Sequence, residues 1–237
     1  MINFLLIKKL KKKILEFWNN YLNEHSNISY SQEGEDLILN RIFESKKDGF
    51  YIDIGAHHPK RFSNTYLFYK KGWKGINIDA MPGSMKLFNF FRPRDVNIET
   101  PISSNSEELT YYIFNEPALN GFSKELSEER NKLDHYKIVS SEKLKTKTLK
   151  EILTENLDKH QVIDFMTIDV EGMELEVIKS NDWKSFKPKV LLLELKDQII
   201  EDLMLDEIKL FLKVQNYDLY AKTVHSVFFK RKDLQNN

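Results

Sequence analysis

The sequence has no cysteine and no excess of either charge, with 36 Lys and Arg against 36 Asp and Glu in 237 residues. The absence of cysteine excludes disulfides, thiolate zinc sites, iron–sulfur clusters and thiol nucleophiles. A formal net charge of zero argues against a globally basic nucleic-acid-binding protein, so we expect no nucleic-acid partner. A content of 41% hydrophobic and 30% charged residues is typical of a globular, cytosol-compatible chain.

The sequence also lacks both glycine-rich motifs that bind phosphate chains. The dinucleotide fingerprint Gly-x-Gly-x-x-Gly is missing, and so is Gly-x-x-x-x-Gly-Lys-Ser/Thr. Where the first glycine of the fingerprint would stand, Gly55 follows an apolar strand, but His57, His58 and Pro59 occupy the later positions. Dinucleotide and nucleoside triphosphate binding are therefore both disfavoured.

The first 22 residues predict a basic amphipathic helix, in a segment 1–27 that precedes a domain at 28–237. Lys8, Lys9, Lys11, Lys12 and Lys13 interleave with apolar residues at nearly helical spacing. The apolar run is too short and too charged for a transmembrane span, and no signal-peptide cleavage site follows it. Two interpretations stay open: the helix packs on the domain or a partner subunit, or it docks on an anionic membrane surface. The second would place a cytoplasmic protein at the inner face of the membrane.

From Ser31 onward, strand and helix patterns alternate, which predicts a doubly wound, mainly parallel α/β sheet. Strand patterns cover 50–54, 75–79, 96–98, 165–169, 190–195, 217–221 and 226–229, and the last two form an antiparallel pair. Helix patterns cover 33–43, 65–71, 149–157, 174–178 and 201–215. Alternation at 109–114 predicts an extra two-stranded excursion. The segment 115–147 has weak periodicity, and we expect a mobile connection or lid there.

Acidic residues end the strand patterns. Asp53 precedes Gly55 in an Asp-x-Gly turn, and Asp79 ends the second strand. Ligands of open α/β sheets bind beyond the carboxyl ends of the strands, where an acid can accept hydrogen bonds from both hydroxyls of a ribose. A ligand with a ribose and no pyrophosphate, such as S-adenosylmethionine, fits both observations. The alternative is that these two acids cap loops or helices.

Asp169 and Glu171 follow the fourth strand, which lies beside the first in a doubly wound sheet. Their carboxylates would face the reactive end of the bound ligand. The alternative is that Asp169 caps the helix that continues through 174–178.

Six segments in this order resemble the FkbM family of S-adenosylmethionine-dependent methyltransferases. They are SQEGED at 31–36, GFYIDIGAHHP at 49–59, RFSNT at 61–65, GINIDA at 75–80, KTL at 147–149 and IDVEG at 168–172. The resemblance implies a class I methyltransferase fold (Rossmann-like): a seven-stranded, mainly parallel sheet with an antiparallel last strand and helices on both faces. It also implies O-methylation of a sugar, polyketide or related hydroxyl.

The resemblance further implies a set of cofactor contacts. Asp53, Gly55 and Ala56 would line the methionine portion, and Asp79 would hold the ribose. Five further residues would contact the cofactor: Ala80 and Met81 would flank the adenine, Ser103 would lie near its edge, and Ser31 with Gln32 would close over it from the preceding segment. Many class I methyltransferases have a second glycine where this chain has His57, so we expect the first loop to take a different path.

Activation of a sugar hydroxyl requires a general base or a metal ion. Asp169, Glu171 and Glu194 lie at or near strand ends, and His225 falls in the turn between the last two strands. His225 is a candidate base because its ordinary pKa is near neutrality, and His57 and His58 are rivals. The same groups could instead hold a divalent ion.

Two basic clusters, Lys60 with Arg61 and Arg92 with Arg94, lie in loops near the expected cofactor side. Contact with the phosphate of a nucleotide-sugar is one interpretation, with Arg61, Asn64 and Arg94 as substrate residues, and a solvated surface is the other. The aromatic group Phe62, Tyr66, Phe68, Tyr69 and Trp73 is assigned to the core. A non-catalytic S-adenosylmethionine-binding or scaffold domain is the alternative to an enzyme, and homo-oligomerisation stays open.

Overall fold

The computed structural model describes residues 4–18, 26–158, 160–195 and 207–234. Its strands are β1 Phe50–Ile54, β2 Lys74–Asp79, β3 Val96–Glu99, β4 Glu108–Phe114, β5 Ile138–Lys145, β6 Phe165–Ile168, β7 Val190–Glu194, β8 Tyr217–Lys222 and β9 Ser226–Arg231. Its helices are α1 Phe4–Phe17, α2 Glu35–Ile42, α3 Tyr66–Lys70, α4 Met85–Phe91, α5 Lys124–Asn131, α6 Leu149–Asn156, α7 Glu174–Lys179 and α8 Glu207–Val214.

Seven of these strands form one sheet in the order β3–β2–β1–β6–β7–β9–β8. The pairs from β3 to β7 are parallel, whereas β9 runs antiparallel to both β7 and β8. The order reverses at β1, which lies between β2 and β6. This topology confirms the predicted seven-stranded class I methyltransferase sheet with an antiparallel last strand.

The central strands read as continuous apolar runs because helices cover both faces of the sheet. On one face, Ile52 of β1 and Met166 of β6 pack with residues of α6, α7 and α8. On the other, Tyr51 and Phe165 pack with residues of α2 and α3. Alternate residues of one strand thus belong to opposite cores, as the two-residue repeat of a strand requires.

Local sequence determines several of the helix boundaries. Thr148 begins α6 with a capping box: its side chain accepts from the backbone N–H of Glu151, whose carboxylate accepts from the N–H of Thr148. The helix patterns at 65–71, 149–157 and 174–178 are confirmed to within a residue or two. The pattern at 33–43 gives α2, which begins two residues later than expected, and α4 was not predicted. Residues 2, 3 and 19–22 of the predicted first helix and residues 201–206 of the predicted last helix lie outside the described part of the chain.

The predicted two-stranded excursion is present, and its second strand comes from the segment assigned to a connection. β4 pairs antiparallel with β5 in a separate sheet. Between them lie a 3-10 turn at Pro117–Leu119 and α5. The expectation of a mobile connection or lid at 115–147 did not include these regular elements. The strand β5 left no clear pattern in the sequence, because it is polar and has only one strand partner. We call residues 108–145 the insertion.

Asp164 holds together the edge of the sheet where the strands begin. Its side chain is 1% exposed and accepts hydrogen bonds from Lys46 Nζ, at 2.5 Å, and Lys189 Nζ, at 2.8 Å. It also accepts from the backbone N–H of Phe50, at the start of β1. Two lysines therefore compensate the burial of this carboxylate.

Candidate active site

The carboxyl ends of β1, β2, β6 and β7 converge on a cavity of about 360 Å³. This volume lies in the range of small-molecule sites. Gly55, Asp79, Asp169 and Glu194 each reach it from a different strand end. The insertion contributes the opposite wall through residues 116–122, Tyr111 and Tyr136. The cavity is thus enclosed between the switch point of the sheet and the insertion.

Gly55 allows the chain to turn sharply at the end of β1. Its φ is 76°, and a Cβ built there would lie 1.6 Å from the carbonyl oxygen of Asp169. Any side chain would therefore push β1 and β6 apart. The next loop residue but one, His57, has a φ of 51°. His57 thus keeps a left-handed conformation of the kind that glycine adopts most readily, at some cost in strain.

Asp79 presents a buried carboxylate at the cavity wall. Its two oxygens accept one backbone hydrogen bond each, from His57 N and from Met81 N, both at 2.8 Å. Burial raises the pKa of Asp79, although these two N–H groups oppose the rise. Each carboxylate oxygen retains a second lone-pair direction, so the pair can accept from two neighbouring hydroxyls of a ligand.

The wall beside Asp79 is mostly apolar. It is formed by side chains from the ends of β1 and β2, the segment after β3, and the insertion: Ile54, Ile78, Ala80, Met81, Pro101, Ile102, Tyr111 and Leu119. Asn120 fixes the insertion there, because its side-chain oxygen accepts from Phe114 N at 2.8 Å and its amide contacts the Met81 sulfur at 3.6 Å. Such a wall suits a flat heterocycle attached to the sugar that Asp79 would hold.

Three carboxylates meet at another part of the cavity. Asp169, Glu171 and Glu194 each offer an oxygen, and the three oxygens lie within 4.8 Å of one another. The group comes from the ends of β6 and β7, which are adjacent parallel strands. Such a group can accept a proton or hold a divalent cation, since carboxylates are the ligands that Mg²⁺ and Ca²⁺ prefer.

Two neighbours hold Glu171 in a strained conformation. Its φ is 56°, which is unusual for a side chain of this size. Arg130 of α5 donates a hydrogen bond to its carboxylate and another to the carbonyl of Leu119, at 3.1 Å. Glu174 accepts from Val170 N at 3.1 Å and from Gly172 N at 3.2 Å, on either side of Glu171. Burial raises the pKa of Glu174 to about 7.

His57, Arg61 and Phe62 approach the cavity from the loop after β1. Burial lowers the pKa of His57, against the opposing field of the Asp79 carboxylate. Its Nε2 has no hydrogen-bond partner among the described residues. Phe62 is 44% exposed, with the Arg61 guanidinium 4.4 Å from its ring, and Arg61 also pairs with Glu116 at 3.6 Å.

Eight of the predicted site residues lie along the cavity, and eight do not. Those along it are Gln32, Gly55, Asp79, Ala80, Met81, Asp169, Glu171 and Arg61. Those whose contacts lie elsewhere are Ser31, Asp53, Ala56, His58, Asn64, Arg94, Ser103 and His225.

Asp53 faces away from Ile54 and towards a buried polar network. Its carboxylate accepts from Thr65 Oγ1, which in turn accepts from Arg92 Nη1 at 2.9 Å. Burial raises the pKa of Asp53 to about 6, against the attraction of Arg92. Arg92 is fully buried and pairs with Asp95 at 2.9 Å. The interpretation of Arg92 as a phosphate ligand or a solvated surface residue was wrong. This arginine is buried and donates a hydrogen bond to the hydroxyl of Tyr51, in β1.

The remaining predicted residues have structural partners. Ser31 Oγ donates to Asp36 at 2.9 Å, and Ala56 packs with Met85 and Phe88. Ser103 Oγ donates weakly to Glu107 at 3.4 Å.

The two predicted substrate residues outside the cavity are also engaged. Asn64 Nδ2 donates to Thr167 Oγ1 at 3.0 Å. Arg94 donates to the carbonyl of Tyr69 at 2.5 Å and lies 4.0 Å from its ring.

The two predicted histidine bases are held by nearby groups. His58 Nδ1 accepts from the backbone N–H of Lys60, at 3.1 Å, and of Arg61, at 3.0 Å, and burial lowers its pKa. His225 lies, as expected, in the turn between β8 and β9, where its Nδ1 contacts the Glu33 carboxylate. Its imidazole thus links the segment before α2 to the last hairpin.

Of the five aromatic residues between 62 and 73 that were assigned to the core, three are buried there. Phe68, Tyr69 and Trp73 are between 1% and 9% exposed. Phe62 departs from this assignment, since it stands at the cavity rim.

Sequence reasoning missed the contributions of Arg130 and Glu174. Arg130 lies in the insertion, where weak periodicity gave no reason to single it out. Glu171 lies in the loop before α7, and Glu174, three residues later, is the first residue of that helix. This short spacing was the one sequence signal that the two carboxyl groups lie close together.

One family model matches most of the chain. The family model described as the methyltransferase FkbM domain matches residues 53–219 of the 237. A TehB-like S-adenosylmethionine-dependent methyltransferase from Corynebacterium glutamicum matches at a TM-score of 0.41 and 10% identity, covering 95% of this chain and 100% of that one. A protein described as a type 11 methyltransferase from Sulfolobus solfataricus matches at 0.41 and 13%, covering 87% and 97%. No curated protein matches the chain.

Proposed function

Because the chain belongs to the FkbM methyltransferase family, we propose that it methylates a sugar hydroxyl of a bacterial glycan or of its nucleotide-sugar precursor. The observation that carries this proposal is the placement of two kinds of acid in one cavity. Asp79 lies at an apolar wall, and the three-carboxylate group of Asp169, Glu171 and Glu194 lies at another part of the same cavity.

Asp79 and its surroundings fit S-adenosylmethionine. The carboxylate is held in place by two backbone N–H groups and has lone pairs left for two ribose hydroxyls. Ile78, Met81 and Ile102 offer the apolar contact that an adenine requires. The bound cofactor supplies an electrophilic methyl group on a positively charged sulfur, and the cavity carboxylates favour that charge.

The three carboxylates are suited to activating the acceptor. A sugar hydroxyl must lose its proton as its oxygen takes up the methyl group, and a carboxylate within hydrogen-bond reach can accept that proton. Asp169 is our candidate for this role, with Glu171 held beside it by Arg130. The same oxygens could instead bind a divalent cation that lowers the pKa of the hydroxyl. The chelator arm of the experiment below separates the two.

The rim supports a sugar carrying a phosphate as the acceptor. Phe62 offers an exposed aromatic face, a surface on which the apolar side of a sugar ring can pack. Arg61, beside it, can form paired hydrogen bonds with a phosphate group. The Glu116 carboxylate lies 3.6 Å from the Arg61 guanidinium, and both side chains are partly exposed. A phosphate that enters the cavity would therefore compete with Glu116 for Arg61.

The deciding experiment incubates the full chain with S-adenosylmethionine and a panel of nucleotide-sugars, with and without a chelator. We expect one nucleotide-sugar to gain the mass of one methyl group. Turnover that survives chelation assigns a carboxylate base, and turnover that is lost and restored by Mg²⁺ assigns a metal ion. Cofactor binding without methyl transfer to any nucleotide-sugar or free glycan would favour the non-catalytic alternative.

A further inference from the structure

The helix α1 presents its apolar side chains to solvent. Leu10 is 60% exposed, Ile14 58% and Phe17 58%, and Trp18, directly after the helix, is 54% exposed. Every side chain from Lys8 to Trp18 is in fact exposed. Packing of this helix against the domain, one of the two interpretations of the sequence, is therefore not what the structure describes for these residues.

Four of the five exposed apolar residues between 8 and 18 form one stripe, and Leu15, which is 64% exposed, lies outside it. Leu10, Ile14, Phe17 and Trp18 follow the spacing i, i+4, i+7, i+8, which puts them on a single face of an α-helix. At about 100° per residue, Lys8, Lys9 and Lys12 fall on the opposite half of the helix, and Lys11 and Lys13 flank the stripe on its two sides. The helix thus combines a wide apolar face with a cationic one.

The charge of this helix selects the kind of surface that could cover the apolar face. Five lysines between residues 8 and 13 are opposed by Glu16 alone, which pairs with Lys12 at 3.8 Å at the surface. A second copy of α1 packed on this face would bring the flanking Lys11 and Lys13 of the two copies close together. An anionic lipid surface instead offers negative headgroups to the lysines and an acyl boundary to the apolar stripe.

We propose that α1 lies in the plane of an anionic bilayer surface and anchors the methyltransferase domain to it. The apolar stripe would enter the boundary between headgroups and acyl chains, with Trp18 at the level of the headgroups, where tryptophan is preferred. The helix would lie on the membrane without crossing it: none of the described helices is long and apolar enough to cross a bilayer. This docking does not depend on the acceptor.

The distribution of tryptophan makes the proposal directly measurable. The chain has three tryptophans, of which Trp73 is 1% and Trp183 9% exposed. Changes in tryptophan emission and in quenching by acrylamide therefore report on Trp18. We expect a blue shift and protection from the quencher when the full chain meets vesicles of phosphatidylcholine with about one third phosphatidylglycerol. Vesicles of phosphatidylcholine alone should bind roughly tenfold more weakly or worse.

Three matched variants test which face is responsible. Leu10→Ser/Ile14→Ser/Phe17→Ser removes the stripe and keeps the charge, while Lys8→Gln/Lys9→Gln/Lys12→Gln/Lys13→Gln does the reverse. Each should weaken sedimentation with the anionic vesicles roughly tenfold or more. The control Leu133→Ser/Val139→Ser/Val162→Ser removes three apolar side chains that are also exposed, at 52%, 61% and 56%, and should bind like the wild type.

Several results would overturn the proposal. Equal binding to neutral and anionic vesicles, or no binding to either, would do so. So would protection of Trp18 from acrylamide before vesicles are added, because it would show that the helix packs on the protein. A dimer in sedimentation equilibrium that the stripe variant dissociates would assign the face to a second copy. Cofactor affinity should be unchanged in all variants, which keeps this test separate from that of methyl transfer.

Discussion

Arg130 of α5 donates a hydrogen bond to the carboxylate of Glu171, in the loop after β6. The side chains are 14% and 9% exposed, so this ion pair is largely shielded from water. It joins the insertion to the group of cavity carboxylates, and it does so at a residue with a left-handed φ. The insertion thus covers the cavity and also holds one of its carboxylates in place.

Replacement of Arg130 should therefore affect both folding and turnover. We expect Arg130→Met to lower stability by about 1–3 kcal/mol, because Glu171 would remain buried without its partner. Turnover should fall roughly tenfold or more while cofactor affinity changes little. Arg130→Lys should recover part of the loss.

The matched control on the same helix is Lys124→Met, which breaks an exposed pair with Glu128 and should change stability by less than about 0.5 kcal/mol. Equal effects of the two Met variants would contradict the importance of the buried pair.

Asp79→Asn should weaken S-adenosylmethionine binding roughly 10- to 100-fold by calorimetry. The amide removes the charge and one acceptor, and it cannot accept from both His57 N and Met81 N. A thermal melt separates this loss from unfolding. Asp134→Asn, an exposed site outside the cavity, serves as the control. Unchanged affinity in the Asp79 variant would remove the cofactor assignment.

Asp169→Asn should abolish most turnover and leave cofactor affinity near that of the wild type. Loss of a general base costs about 10²- to 10⁴-fold in rate. If the carboxylates hold a metal ion, the same variant should instead require more Mg²⁺ for half-maximal rate. Both quantities are read from initial rates at varied Mg²⁺. Wild-type turnover would exclude Asp169 from the reaction.

Arg61→Met should raise the KM for a nucleotide-sugar roughly tenfold, and the same substitution at Arg94 should not. Arg61 stands at the cavity rim, whereas Arg94 is engaged by the backbone and ring of Tyr69. The size of the change follows from the loss of a charge-assisted hydrogen bond. Saturation kinetics at a fixed cofactor concentration give both constants. Equal KM values for the two variants would contradict the proposal that Arg61 binds the phosphate.

Glu174→Gln should change how stability depends on pH. The pKa of Glu174 is raised in the folded state, from about 4.5 to about 7, so between these values the folded protein binds more protons than the unfolded chain. Stability from this group is complete at low pH and declines as pH rises towards 7. The variant cannot titrate there, and its amide oxygen can still accept from Val170 N and Gly172 N.

Relative to the wild type, Glu174→Gln should therefore gain roughly 1–3 kcal/mol between pH 4.5 and pH 7. Urea denaturation at a series of pH values measures the difference. The exposed Glu128→Gln, on α5, is the control and should show no such trend. A difference that shrinks as pH rises would contradict the raised pKa.

The strand ends of the cavity were predictable because their signals are local. An apolar run followed by Asp-x-Gly or by a single Asp fixes where a strand stops, and parallel strands stop at one edge. Gly55, Asp79 and Asp169 were singled out in this way, and all three line the cavity. The alternation of strands and helices predicted the doubly wound sheet, and the resemblance to the FkbM family implied its seven strands.

The side of the sheet that each residue faces was harder to predict. Asp53 and Ile54 are neighbours in β1, yet only Ile54 reaches the cavity, because successive side chains of a strand point to opposite faces. Arg92 looked like a surface residue, and its burial depends on Asp95, Tyr51 and Thr65 meeting around it. These contacts join distant parts of the chain and leave no local pattern. The insertion was misjudged for a similar reason, since β5 is recognisable only beside β4.

The buried carboxylate of Asp164, with Lys46 and Lys189, lies at the edge of the sheet opposite the cavity. At one rim of the sheet Asp164 thus joins the beginnings of the strands, and at the other rim the acids of the cavity lie at the strand ends. Evolution or a designer could strengthen the first rim without touching the second. A thermostable descendant of this enzyme should carry its changes around Asp164 and keep the acids of the cavity as they are.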